Sequence, residues 1–235
     1  MHPILFKFGP ITIYSYGFFL AAAFLTGSIL AQREAKIRGF GAHFISNLCL
    51  LSLISGILGA RIFFLLFNLD FFKENPLEII MLQHGGLVWY GGLISAIVSV
   101  VIYIRIKKQP IFATLDLVAP YIALAQAIGR IGCFLNGCCY GKLWRDENIP
   151  YPTQIFSSLS MLFVFLVLRV MQKRGLKTGS IFFSYLLLYS AKRFFIEFLR
   201  GDSPVVFLNL TVFQLISAGI FVSALILLTL RFRHK

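Results

Sequence analysis

The sequence predicts an all-α integral membrane protein of about seven transmembrane helices, because its apolar runs approach the ~20 residues a bilayer crossing requires. Short basic segments separate these runs, and no long polar or low-complexity stretch interrupts them. Of 235 residues, 58% are hydrophobic and 13% charged, and the mean hydropathy is +0.84, which excludes an ordinary soluble domain. Residues 1–235 therefore read as a single polytopic membrane domain. A net charge of +13 could suggest nucleic acid, but the 22 Lys and Arg form no single basic face, so no nucleic-acid partner is expected.

Taken in order, the spans fall at about 11–31, 46–67, 86–104, 114–135, 153–171, 179–199 and 211–230. The first follows a single Lys7 and is too long and too weakly charged in front for a cleaved signal peptide, so it is expected to stay as a helix. With the N-terminus outside, the inner segments carry thirteen basic residues (Arg33, Lys36, Arg38, Arg105, Lys107, Lys108, Arg169, Lys173, Arg174, Lys177, Arg231, Arg233, Lys235). The outer segments carry five, Lys7, Lys73, Lys142, Arg145 and Arg200. This asymmetry predicts N-out, C-in.

Four cations lie inside spans two, four and six: Arg61, Arg130, Lys192 and Arg193. The three arginines sit about 14 to 16 residues from the inner start of their spans, roughly 21–24 Å into a core of about 30 Å. An arginine at membrane depth costs about 2.5–3.5 kcal/mol and needs compensation. Each one alone could snorkel or pair with backbone carbonyls. Three at one depth, with Glu197 as the one acid in that layer, imply an anion from outside the chain. Tyr14, Tyr16, Trp89, Tyr90 and Gln154 mark the outer ends of other spans; without the arginines, the aromatics would read as an interfacial belt.

The fourth span ends in Gly129-Arg130-Ile131-Gly132-Cys133-Phe134-Leu135-Asn136-Gly137-Cys138-Cys139-Tyr140-Gly141, where glycines can turn backbone N–H groups toward an oxyanion. A second Gly-rich string, Gly85-Gly86-Leu87-Val88-Trp89-Tyr90-Gly91-Gly92, opens the third span. The four cysteines, Cys49, Cys133, Cys138 and Cys139, show no CxxC and no zinc spacing, so they are expected to pack as small apolar side chains and no metal ligand is assigned.

At these residues the chain resembles the bacterial prolipoprotein diacylglyceryl transferases. Ser15-Tyr16-Gly17, Gly59-Ala60-Arg61-Ile62, the Gly85 to Gly92 string, the Gly129 to Gly141 signature, Tyr151-Pro152-Thr153-Gln154 and Arg193 to Arg200 carry the resemblance along nearly the whole chain. It implies a multi-pass enzyme of the bacterial cytoplasmic (inner) membrane with its active site in the extracytoplasmic half. Such an enzyme transfers the diacylglyceryl group of phosphatidylglycerol to the lipobox cysteine thiol in a preprolipoprotein signal peptide, releases glycerol phosphate and needs no cofactor. The partners implied are these two substrates and the surrounding membrane lipids. Arg130, Arg193 and Tyr90 are then the expected catalytic residues, and Tyr16, Arg61, Asn136, Gly141, Gln154 and Glu197 the expected substrate-binding ones, with Glu197 orienting Arg193 four residues away. The chain departs from the best-known members at Tyr90, where they carry histidine, at Cys133 for asparagine, at Cys138 for an acidic residue and at Tyr151 for histidine. A tyrosine hydroxyl donates a hydrogen bond more readily than it accepts a proton, which leaves the general base open. A lipid or organic-anion carrier would use the same cationic cavity without chemistry, and a membrane thiol oxidoreductase would use the cysteines.

Overall fold

The computed structural model describes residues 2–9, 11–41, 43–81, 85–143, 150–201, 205–207 and 209–233; Arg145 and Lys235 of the charge count lie outside them. Helices dominate: α1 Ser15–Ile37, α2 Phe44–Phe67, α3 Leu69–Glu74, α4 Trp89–Ile106, α5 Ile111–Asn136, α6 Thr153–Lys173, α7 Ser180–Glu197 and α8 Val212–Arg233, with one 3-10 turn at Pro76–Ile79. Among the described residues six helices (α1, α2, α4, α5, α6 and α8) are long and apolar enough to cross a membrane. The expected sixth span is there as α7, but its 18 residues hold Lys192, Arg193 and Glu197, and those charges set it apart from the six. Apolar side chains point outward along these helices, as with Leu50 at 53% and Leu58 at 55% exposure, which fits lipid as the surrounding solvent.

The architecture is helical as expected, and two short hairpins accompany the helices. Strand β1 (Ile4–Phe8) pairs antiparallel with β2 (Ile11–Tyr14), and β3 (Val205–Phe207) pairs with β4 (Leu210–Thr211). The expected first span began at Ile11, but Ile11-Thr12-Ile13-Tyr14 is rich in β-branched residues and turns back at Gly9, whose φ is +56°. Hydropathy alone does not separate an apolar strand from the apolar helix that follows it.

Backbone contacts divide the chain into two compact units, residues 1–31 with 115–235, and residues 32–114. In the second unit α2 packs on α4 through small residues. A Cβ at Gly91 would stand 2.5 Å from Phe63 Cβ and 2.8 Å from the Gly59 carbonyl, so only glycine allows this approach. The Ser55 and Ser99 hydroxyls, 2.6 Å apart, join the same two helices.

The first unit is built on α5, whose Ala119, Ala123 and Ala127 recur every fourth residue and bury against Met161, Val164 and Leu168 of α6 and Ile181 and Tyr185 of α7. Pro120 inside α5 lacks the N–H that would bond the Asp116 carbonyl. Gln172 of α6 fills the gap, donating from Nε2 to the Asp116 carbonyl at 3.0 Å. The Asp116 carboxylate in turn accepts the Phe182 amide at 2.8 Å, binding the first turn of α7 to α5.

Candidate active site

Helix α5 ends at Asn136 in a Schellman turn: Gly137, at φ +77°, donates to the Phe134 carbonyl and Cys138 donates to the Cys133 carbonyl, each at 3.2 Å. Cys139 then adopts φ +60°, a left-handed conformation uncommon for a side-chain-bearing residue. This double reversal brings the chain back along the start of α6, where Gln154 Nε2 donates to the Cys138 carbonyl at 2.7 Å and the Thr153 hydroxyl to the Cys139 carbonyl at 2.8 Å. Gly141 donates to the Tyr151 carbonyl and forms an antiparallel bridge with Arg200. A Cβ there would lie 2.7 Å from the Leu199 carbonyl oxygen, so Gly141 serves close backbone passage. The amides of Gly137, Cys138, Gly141 and Lys142 all have backbone acceptors; those of Cys139 and Tyr140 donate to no described residue.

Around this turn the sequence's cations gather. Arg130, one helical turn before Cys133, lies within electrostatic reach of Lys192, Arg193 and Tyr16, and Arg200 lies within reach of the same Lys192 and Arg193. Lys192 rests over the Tyr189 ring at 5.0 Å and Arg193 over the Phe213 ring at 4.8 Å. Arg193 Nη2 stands 3.1 Å from Glu197 Oε2, out of line for a hydrogen bond, so the contact is a buried Coulombic pair. Glu197 is held from its other oxygen, which accepts the Thr211 hydroxyl at 3.2 Å. Thr211 caps α8 in a box: Gln214 N–H donates to the threonine hydroxyl oxygen, and the Gln214 side-chain carbonyl accepts the Thr211 amide at 2.8 Å. The cap of one helix thus fixes a carboxylate that fixes a guanidinium on another.

Arg130 differs from every other arginine expected here. It is half-buried and makes no hydrogen bond or ion pair to a described residue. Arg61, in the second unit, is the opposite case. At 6% exposure it donates from Nε to Ile79, from Nη1 to Gly85 (2.6 Å) and Gly86 (3.1 Å), and from Nη2 to Met81 and Glu78, all backbone carbonyls. All five donors are occupied, so Arg61 organises residues 78–81 and 85–86 and has none left for a phosphate. The expected set of three compensation-seeking arginines reduces to one, because Arg61 has carbonyls and Arg193 has Glu197.

Of the other expected residues, Tyr16 at 43% exposure lies near Arg130 and the thiols of Cys133, Cys138 and Cys139. Gln154 is 2% exposed and its Oε1 has no partner among the described residues, leaving a buried acceptor beside the turn. Asn136, the last residue of α5, is exposed. Tyr90 belongs to the second unit, 44% exposed and edge-on to Trp89 at 5.2 Å. Two contributions were not singled out as site residues. Lys192 and Arg200 join the cationic group; Arg200 lies beyond the end of α7 and is placed by its bridge to Gly141, for which helical spacing gave no signal. Cys139 sits beyond the end of α5; the Cys133 thiol beside it, followed by the Arg200 and Arg130 charges, holds its thiol below the ordinary range.

Comparison with known proteins gives one answer along the chain. A family model described as prolipoprotein diacylglyceryl transferase matches residues 3–230. The phosphatidylglycerol–prolipoprotein diacylglyceryl transferase of Clostridium tetani is 36% identical over 86% of this chain and 86% of its own. Those of Bacillus licheniformis (33% identical, 98% of this chain and 93% of its own) and Staphylococcus carnosus (35%, 92% and 85%) align as extensively.

Proposed function

Because the chain belongs to the prolipoprotein diacylglyceryl transferase family, we propose that it moves the diacylglyceryl group of phosphatidylglycerol onto the lipobox cysteine thiol of a preprolipoprotein. The acceptor sulfur attacks the glycerol carbon, the carbon–oxygen bond to phosphate breaks, and glycerol phosphate leaves with the electron pair. A phosphodiester monoanion becomes a monoester dianion in this step, so cations that meet the growing charge accelerate it. One observation carries the assignment: Arg130, half-buried in a membrane helix among Lys192, Arg193 and Arg200, has no acceptor among the described residues. A guanidinium at such depth requires an anion, and the phosphate of a lipid substrate supplies one.

In this reading Arg130 grips the phosphate through its planar fork, while Arg193, aimed by Glu197, stabilises the departing oxygen. Tyr16 donates to the headgroup, and Gln154 offers its unpartnered Oε1 to a glycerol hydroxyl; the Cys138 carbonyl bonded to Nε2 fixes which end is oxygen. Asn136 contacts the headgroup at the helix end, Gly141 shapes the turn, and Arg61 supports its own loop. For Tyr90 the proposal of a catalytic donor rests on its place in the family resemblance. The 13-to-5 distribution of basic residues supports seven crossings, N-out and C-in, in the bacterial cytoplasmic membrane with the site in the outer half. The relatives compared above are named for transfer, which favours it over an anion carrier or a thiol oxidoreductase. Incubating the purified chain with labelled phosphatidylglycerol and a lipobox peptide tests the reading: thioether-linked diacylglycerol on the peptide is expected, and none would overturn it.

A further inference from the structure

We propose that Cys133, Cys138 and Cys139 form a trithiolate site for a soft divalent cation of the zinc class, and that its fourth coordination position takes the acceptor thiol. The inference rests on the transfer reading above and adds to it the means by which the acceptor becomes a nucleophile.

The three sulfur atoms lie within 4.8 Å of one another, and among the described residues no histidine or carboxylate joins them. A tetrahedral centre with Zn–S bonds of about 2.3 Å places its sulfurs roughly 3.8 Å apart, so the thiols close on an ion by about 1 Å or less each. The backbone holds them in this convergence. Cys133 and Cys138 are tied through the Schellman turn, and Cys139 is turned inward by its left-handed φ of +60° and anchored through its carbonyl to Thr153. Three thiolates around a divalent ion carry a net charge of −1, which the neighbouring Arg200 offsets while Arg130 holds the phosphate. Catalytic zinc sites keep three protein ligands and one open position, and this cluster has three.

The chemistry of transfer gives that position its occupant. Glu197, the acid of this layer, is committed to Arg193 and Thr211, so the acceptor thiol has no evident carboxylate to take its proton. A thiol that binds a divalent cation is deprotonated on coordination. Its proton passes to solvent with the water it displaces, and the bound sulfur keeps its electron pair. The sulfur then bonds to the glycerol carbon as the carbon–oxygen bond breaks toward the phosphate held by Arg130. The thioether product, a weaker ligand than a thiolate, leaves the ion, which neither gains nor loses electrons.

Cobalt(II) reports this site directly. The full chain, purified in micelles, stripped with chelator and titrated with cobalt, should bind one equivalent with a thiolate-to-metal charge-transfer band. Cys139→Ser removes a ligand and should weaken binding at least as much as the ~10–100-fold that loss of an outer-sphere partner brings, whereas Cys49→Ser should not change it. A lipobox peptide should shift the band, the same peptide with serine for cysteine should not, and zinc-loaded protein should transfer diacylglycerol about tenfold or more faster than stripped protein. The site is overturned if the folded wild-type chain binds no cobalt, if only two of its four thiols titrate because two are joined in a disulfide, or if the peptide leaves the band unmoved and stripped and zinc-loaded proteins transfer equally. If cobalt binds and responds to the peptide while neither form transfers diacylglycerol, the metal site stands and the transfer reading falls.

Discussion

Replacing Arg130 separates catalysis from stability more cleanly than any other substitution in this chain. Since Arg130 makes no hydrogen bond or ion pair to a described residue, Arg130→Ala removes no native bond and takes one charge out of a group shared with Lys192, Arg193 and Arg200. The melting temperature in micelles should therefore stay level or rise. Activity should collapse, because a hydrogen bond to a charged group contributes about 1.5–3 kcal/mol and each 1.36 kcal/mol is tenfold in rate. Arg130→Lys keeps the charge and loses the two-pronged grip, so a loss of roughly 10- to 100-fold is expected from lysine and more from alanine. Initial rates of label transfer from phosphatidylglycerol to a lipobox peptide, measured beside thermal melting of the same preparations, give both numbers. A parental rate from folded Arg130→Ala would refute the phosphate grip. A melting temperature lowered as far as for a buried structural arginine would refute the premise that Arg130 is unpartnered.

Arg61→Ala should behave in the reverse manner, since it leaves five backbone carbonyls without their donor; a loss of at least ~3 kcal/mol and rapid proteolysis within 76–86 are expected, and a stable, protected variant would contradict the assignment. Thr211→Val removes both the α8 cap and the hydroxyl on Glu197, so it should cost about 1 kcal/mol of stability and lower kcat at nearly constant KM, to be read from Michaelis curves. Gly91→Ala places a methyl 2.5 Å from Phe63 Cβ and should drive α2 and α4 apart, with a loss of about 1–3 kcal/mol in chemical denaturation. Reporter fusions at Lys108 and Lys173 should label the cytoplasmic side, and outside labelling would reverse the topology.

Hydropathy located the long helices well because it reads the property that lipid imposes. Helix α2, expected at 46–67, forms at Phe44–Phe67, and α6, expected at 153–171, forms at Thr153–Lys173. The signal fails where two conformations satisfy the same solvent, as at Ile11–Tyr14, where an apolar strand precedes an apolar helix. The cations of the site were legible from depth and charge balance, but their division of labour was not. Which arginine is bonded depends on where irregular carbonyls lie, and those of Glu78, Ile79, Met81, Gly85 and Gly86 that hold Arg61 have no mark in composition. The convergence of three thiols was equally hidden. Cys133 and Cys138 are five residues apart, outside familiar zinc spacings, and meet because a helix ends between them and Cys139 takes a conformation its residue type does not announce.

The hydroxyl bond from Thr211 to Glu197 makes the aim of Arg193 a property of two helices. The carboxylate rides on α7, but its second anchor holds only while the first turn of α8 is wound. Fraying of a helix end is among the least costly motions a folded chain makes, so here it would swing a carboxylate and with it a guanidinium. A site placed one bond from a helix terminus inherits the dynamics of that terminus.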